Sequence, residues 1–171
     1  TLTNCVLAGN RAVGDSSGSR DRGTFGGGIY ADTVNLTDCV VSGNSVTGYG
    51  GSGGGVFSVG GVGTWMDSYL SRSAVTGNRV TAQHAYGGGV YSDGGGPGNM
   101  MTMNTQDCTI ARNLVEDHPV IDQSAMTQYY YRGGGFYMSN GILRLSNSTI
   151  VENAFTGVPA TFSGKPNMGG G

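Results

Sequence analysis

Five asparagines, Asn10, Asn44, Asn78, Asn113 and Asn153, close five copies of one short phrase: TLTNCVLAGN, NLTDCVVSGN, YLSRSAVTGN, NTQDCTIARN and RLSNSTIVEN. Five residues before each Asn stands a small residue (Cys5, Cys39, Ser73, Cys108, Ser148), and three before it an aliphatic one (Leu7, Val41, Val75, Ile110, Ile150). A second phrase alternates with the first: GGGIY from Gly26, GGGVF from Gly53, GGGVY from Gly87, GGGFY from Gly133, and the terminal Gly169 to Gly171. A fixed period of this kind marks repeated units that bury their apolar sides only against one another. The chain therefore reads as a solenoid, and its function is expected from a stacked surface more than from a single pocket.

The Asn-to-Asn gaps are 34, 34, 35 and 40 residues, a period that paired-helix repeats also use. Composition decides against helices. The chain has one lysine, Lys165, two separated glutamates, Glu116 and Glu152, and 34 glycines in 171 residues. Each Gly inside a helix costs about 1 kcal/mol relative to Ala. Aliphatic residues instead alternate with polar ones, as in Leu143-Arg144-Leu145, and a period of two is that of a strand. The expected fold is all-β, a parallel β-helix of about five coils with three short strands per coil and long loops between coils.

In this reading the first strand follows the Gly triplet, and the second ends near Leu2, Leu36, Leu70, Thr105 or Leu145. A polar pair follows: Thr3-Asn4, Thr37-Asp38, Ser71-Arg72, Gln106-Asp107, Ser146-Asn147. Alternation breaks there, so the chain turns a corner, and Asn or Asp tolerates the left-handed backbone such a corner uses. The third strand points Cys/Ser and Leu/Val/Ile inward and ends at the Asn. Coils stack ~4.8 Å apart, so equivalent residues form ladders. A ladder of Asn can satisfy backbone groups that a tight corner would strand.

The alternation of a Gly-Gly-x-aliphatic phrase with an aliphatic-x-x-Asn phrase resembles the repeat of chlamydial-type polymorphic outer-membrane proteins. More widely it looks like the right-handed parallel β-helix repeat of the pectate-lyase-like superfamily. The resemblance spans essentially the whole chain and implies a right-handed coil. One departure is that the chlamydial phrase usually carries Phe where Leu7, Val41, Val75, Ile110 and Ile150 stand here. The superfamily hosts lyases, glycosidases, adhesins and inert stalks, so the likeness fixes a fold and not a function.

Nine basic and eleven acidic residues give a net charge of −2 without any basic run, which argues against nucleic acid as a partner. No apolar stretch is long enough to span a membrane. Residues 1–171 read as one β-helix segment of a longer chain, or as a polymerising unit, because solenoid ends carry unpaired backbone groups. Richness in Gly, Ser, Thr and Asn suits an exported, extracellular or cell-surface protein. Cys5 and Cys39 fall on consecutive coils, where a disulfide is geometrically allowed; the other reading is a position that wants a small, buried, weakly polar side chain. Zinc is not indicated, since no Cys-x-x-Cys pair occurs and His84 and His118 match no ligand spacing.

Polysaccharide cleavage on this fold needs converged carboxylates. Asp32 and Asp93 share a position but lie two coils apart, with Val59 between; Asp38 and Asp107 share a corner position with Arg72 between. The latter trio reads as a charge-alternating structural ladder. Asp15, Asp21, Glu116, Asp117 and Asp122 lie on loops, where a Ca²⁺ ion is one occupant to consider. No Lys-Ser/Thr follows a Gly triplet, so the triplets serve tight turning and close coil approach and not nucleotide binding. Neither a catalytic residue nor a bound cofactor is expected.

The segments between each Asn and the next Gly triplet, 11–25, 45–52, 79–86, 114–132 and 154–168, are expected as loops. The run Tyr129-Tyr130-Tyr131-Arg132 suits a contact with a glycan or protein partner, or packs back on the solenoid flank. Trp65, Met66 and Met100 to Met103 read as an apolar flank. Two sequons, Asn35-Leu36-Thr37 and Asn147-Ser148-Thr149, are candidate N-glycosylation sites in a eukaryotic secreted protein, Asn147 at the exposed corner. The leading expectation is a structural or adhesive cell-surface segment that contacts neighbouring copies, glycans or surface proteins. The competing one is a carbohydrate-active β-helix enzyme whose active face lies partly outside the segment. An ice-binding surface would need ranks of Thr-x-Thr, of which only Thr1-Leu2-Thr3 is present.

Overall fold

The computed structural model describes residues 1–14, 23–61, 65–95, 99–116 and 130–156, and the regular elements among them are all strands. They form four parallel sheets. The first joins Leu2–Thr3, Asn35–Thr37, Trp65–Ser71, Met100–Gln106 and Gly141–Ser146 in chain order. The second joins Val6–Ala8, Val40–Ser42, Ala74–Thr76, Thr109–Ala111 and Thr149–Val151. The third runs through Arg11–Val13, Ser45–Ser52, Arg79–Tyr86, Leu114–Glu116 and Ala154–Thr156, with Gly23–Phe25 and Tyr130–Arg132 paired alongside. The fourth joins Ile29–Ala31, Val56–Val59, Val90–Asp93 and Phe136–Ser139. Each strand pairs with the one a full repeat later, which is a β-solenoid type of arrangement.

The register follows the repeat. Leu2, Leu36, Leu70, Thr105 and Leu145 align in the first sheet, and Leu7, Val41, Val75, Ile110 and Ile150 in the second. Val41, Val75 and Ile110 are buried, with Leu7 and Ile150 partly so in the outermost levels. A second apolar cluster of Val46, Val80, Ala82, Ala85 and Val115 lies under the third sheet.

The coil is four-sided, which corrects the three-strand expectation. The fourth side is the stretch after each Asn. Residues 45–52 and 79–86, expected as loops, are eight-residue strands in register with each other. Glycines and polar residues mask the alternation there: equivalent outward positions hold Gly50 and Ser52 in one coil and His84 and Tyr86 in the next. The expected loop 114–132 is likewise strand at both ends, Leu114–Glu116 and Tyr130–Arg132. The insertions leave the third sheet at one point: Val13 pairs with Thr47 and Gly23 with Gly50, while Glu116 pairs with Thr81 and Tyr130 with His84.

Left-handed residues make the corners. Between the first and second sheets these are Asn4, Asp38, Arg72, Asp107 and Asn147, with φ between 44° and 54°. Asn and Asp reach this region at little cost, whereas Arg72 is held there by its neighbours. Gly9, Gly43, Gly77, Arg112 and Glu152 turn the next corner, just before each Asn, and Gly26, Gly53, Gly87 and Gly133 turn the third.

Candidate functional site

The asparagines form a continuous column at the corner between the second and third sheets. Asn78 shows the pattern: its Oδ1 accepts from Asn44 N–H at 3.0 Å and from Asn44 Nδ2 at 3.0 Å, while its own Nδ2 donates to Val41 O and to Asn113 Oδ1. Asn44 and Asn113 repeat it, Asn153 ends it at 8 % exposure, and Asn10 at the other end is exposed. The Gly triplet is cut to fit this column. A Cβ on Gly55 would stand 2.8 Å from Asn78 Nδ2, and one on Gly54 would stand 2.3 Å from Gly88 O. The two repeated phrases are therefore one packing device.

The Cys/Ser column is a second hydrogen-bond relay. Ser73 Oγ donates to Ser71 O at 2.8 Å and accepts from Cys39 N–H at 3.0 Å. Ser73 N–H donates in turn to Cys108 Sγ at 3.4 Å, and Cys108 N–H to Ser148 Oγ at 3.1 Å. Cys5, Cys39 and Cys108 are free thiols, each donating to the carbonyl two residues back. The position requires a small group that both donates and accepts, which Ser and Cys share. Burial pushes the Cys108 thiol up from its ordinary value.

The carboxylates act between coils. Asp38 accepts two 2.7 Å hydrogen bonds from the Arg72 guanidinium one level on, and the first of these holds its carboxyl below the usual range. Asp107, on the same corner, pairs with Asn147. Glu152 takes a 2.7 Å contact from Arg112, and Glu116 pairs with Arg79. Asp93 accepts from Tyr91 O–H at 3.1 Å and from Gly95 N–H. Among the described residues no three His, Cys, Asp or Glu side chains come together as a metal site. Asp15, Asp21, Asp117, Asp122 and His118 lie outside those residues, and the question of a loop-bound Ca²⁺ ion with them.

The feature that the sequence reading passed over is an aromatic corner between the third and fourth sheets. Tyr30, Phe57, Tyr91 and Tyr137, the fifth residues of the first four Gly phrases, follow one another coil on coil with centroid spacings of 5.2, 4.9 and 5.3 Å, the Phe57–Tyr91 pair tilted and the other two stacked. The signal was in the repeat itself, as an aromatic ring in every copy. A neighbouring column on the other side of the corner aligns Phe25, Ser52, Tyr86 and Arg132. Phe25 stacks on Tyr30 and Phe57, and Tyr86 on Tyr91 and Tyr137. Arg132 lies over the Tyr137 ring and donates to its hydroxyl at 2.7 Å. Burial, then the Asp93 carboxylate, raises the Tyr91 phenol well above its ordinary value.

Ser52 breaks its column. The second coil carries Gly50 and Ser52 where the third carries His84 and Tyr86. The missing side chains leave an open hollow of about 280 Å³ lined by Gly23, Phe25, Gly50, Gly51, Ser52, His84 and Tyr86. Ser52 is 4 % exposed, and its hydroxyl makes no hydrogen bond among the described residues. His84 is also buried, edge-on to Tyr49 at 5.5 Å.

The remaining candidates are scattered. Arg132 joins the aromatic corner; Tyr129 lies outside the described residues, as do the side chains of Tyr130 and Tyr131. Asn35 is half-buried within a strand, with Leu36 at 1 % exposure beside it, whereas Asn147 is exposed at a corner. Met101 and Met103 point into the interior, while Trp65 is 73 % exposed. No helix among the described residues is long and apolar enough to cross a membrane. Comparison with family models, with curated proteins and with solved structures returned no match.

Proposed function

We propose that this chain is a structural or adhesive segment of an extracellular or cell-surface protein, built as a right-handed parallel β-helix of the pectate-lyase-like kind and lacking catalytic activity of its own. The observation that carries this reading is the use made of its carboxylates. Asp38, Glu116 and Glu152 are each held by an arginine one coil away, and Asp107 by Asn147. Acid–base cleavage of a glycoside requires two carboxyl groups converging on one bond, with at least one free to exchange a proton. These four instead bind successive levels together, as the Asn and Cys/Ser columns do inside. The result is a stiff stack with an aromatic corner, suited to contacts with neighbouring copies, glycans or surface proteins.

Incubation of the purified chain with polygalacturonate and alginate tests the reading. No new reducing ends are expected. Depolymerisation lost on replacement of an acidic residue would overturn the non-catalytic assignment, and an experimental structure with left-handed coils would overturn the fold type.

A further inference from the structure

We propose that the hollow over Ser52 binds one neutral pyranose ring of a glycan. It exists because Ser52 stands between Phe25 and Tyr86 in its column, and because Gly50, like Gly23 in the coil before it, stands where the next coil carries His84. Along the aromatic corner the rings cover one another's faces. Where Ser52 replaces an aromatic, the residues on either side, Phe25 and Tyr86, rise from strands two spacings apart, about 9–10 Å, and Phe25 leans across to stack on Phe57 at 4.9 Å. The hollow lies beside both aromatic side chains and has room for one saturated ring. Its volume, about 280 Å³, lies just below the ~300 Å³ at which sites for drug-sized ligands begin, as a single-ring subsite should.

The lining selects the chemistry. An aromatic face is negative and attracts the polarised C–H bonds on the flat side of a pyranose. The floor supplies hydrogen-bonding groups: the Ser52 hydroxyl, buried at 4 % exposure and unpartnered among the described residues, the His84 imidazole and the Tyr86 phenol. A ligand hydroxyl reaching Ser52 would replace solvent at that hydroxyl with a direct hydrogen bond. Among the described residues no carboxylate, lysine or arginine lines the hollow, and this lining suits a neutral hexose better than an acidic sugar. The Gly floor matters as well, since Gly50 leaves the space that an outward side chain would fill, with Gly23 Cα at 3.7 Å as its nearest neighbour.

The inference deepens the adhesive reading by naming a ligand class, and it fails separately. New reducing ends would defeat the non-catalytic assignment, whereas absence of sugar binding would defeat this one alone. The full chain is titrated with lactose, cellobiose and maltose, and with digalacturonate as the charged control, observed by saturation transfer to the sugar and by shifts of the Ser52 and Tyr86 amides. The proposal expects a neutral sugar to bind, with shifts confined to the hollow, and digalacturonate to bind at least tenfold more weakly. Ser52→Tyr continues the aromatic column, fills the hollow and should remove binding while leaving the thermal midpoint unchanged or higher. Tyr86→Ala should weaken binding about tenfold without filling the site. Binding of none of the sugars, equal binding of digalacturonate, or neutral-sugar binding that survives Ser52→Tyr in the folded variant would each overturn it.

Discussion

Replacing Asn78 by Leu keeps the branched outline of the side chain and removes every hydrogen bond it makes. Asn78 is fully buried, so water cannot replace what is lost. Two donors of the preceding coil, Asn44 N–H and one Asn44 Nδ2–H, are orphaned outright. Val41 O loses one donor, and Asn113 Oδ1 keeps only the Asn78 backbone N–H. A buried unsatisfied group costs about 1–3 kcal/mol, so the two orphaned donors cost about 2–6 kcal/mol. The leucine recovers at most about 1.5–3 kcal/mol by burial, and less here because Gly55 packs against the amide. A net loss of about 3 kcal/mol lowers the midpoint by about 6–12 °C for a domain of this size. Asn10→Leu is the internal control. Asn10 is exposed at the end of the column, so water can replace its side-chain bond and the shift should stay below about 1 kcal/mol. Thermal unfolding followed by circular dichroism reads both. Equal shifts for the two variants, or an Asn78→Leu midpoint within a degree of the parent, would show that the column does not hold the coils together.

Ile110→Asp places an unpaired charge in the middle of the apolar row and should cost about 4 kcal/mol or more, read as a lowered urea midpoint or loss of folded protein. Ser73→Ala should cost about 1–2 kcal/mol because Cys39 N–H loses its acceptor; Ser73→Cys, which restores a residue used elsewhere in the column, should recover most of it. Arg72 lowers the Asp38 pKa in the folded state, so the pair's stabilisation is present above the unfolded value near pH ~3.9 and is lost as pH falls through the depressed folded value. Arg72→Ala should return the Asp38 titration, followed by carboxyl NMR, toward its ordinary position and flatten the acid limb of the stability profile.

The repeated phrases made the stacking legible because strict burial imposes strict spelling. Val41, Val75 and Ile110 can only be apolar, Asn44, Asn78 and Asn113 can only be a group that donates and accepts at once, and both constraints recur at each coil. The Asn and Asp corners were legible for the same reason. The third sheet was not. Its strands carry Gly48, Gly50 and Gly51 in one coil and Gln83 and His84 in the next, so no period of two survives on its outer side. Pairing with the neighbouring coil, a contact some 34 residues away in sequence, makes it a strand. The aromatic corner is hidden for a different reason: within one coil Tyr30, Phe57, Tyr91 and Tyr137 are ordinary strand residues, and their meaning lies in contacts between coils. The hollow over Ser52 is visible only by comparing one coil with the next, since it consists of missing side chains.

The central claim is that successive coils lie parallel and in register over four sides. Long-range nuclear Overhauser contacts in solution test it directly. The account predicts methyl and backbone contacts linking Val41 to Val75 and Val75 to Ile110 in the second sheet. It predicts the same linkage of Val46 to Val80 and Val80 to Val115 in the third. Contacts of an antiparallel hairpin within one repeat, or absence of the Val46–Val80–Val115 series while the second-sheet series is present, would contradict it.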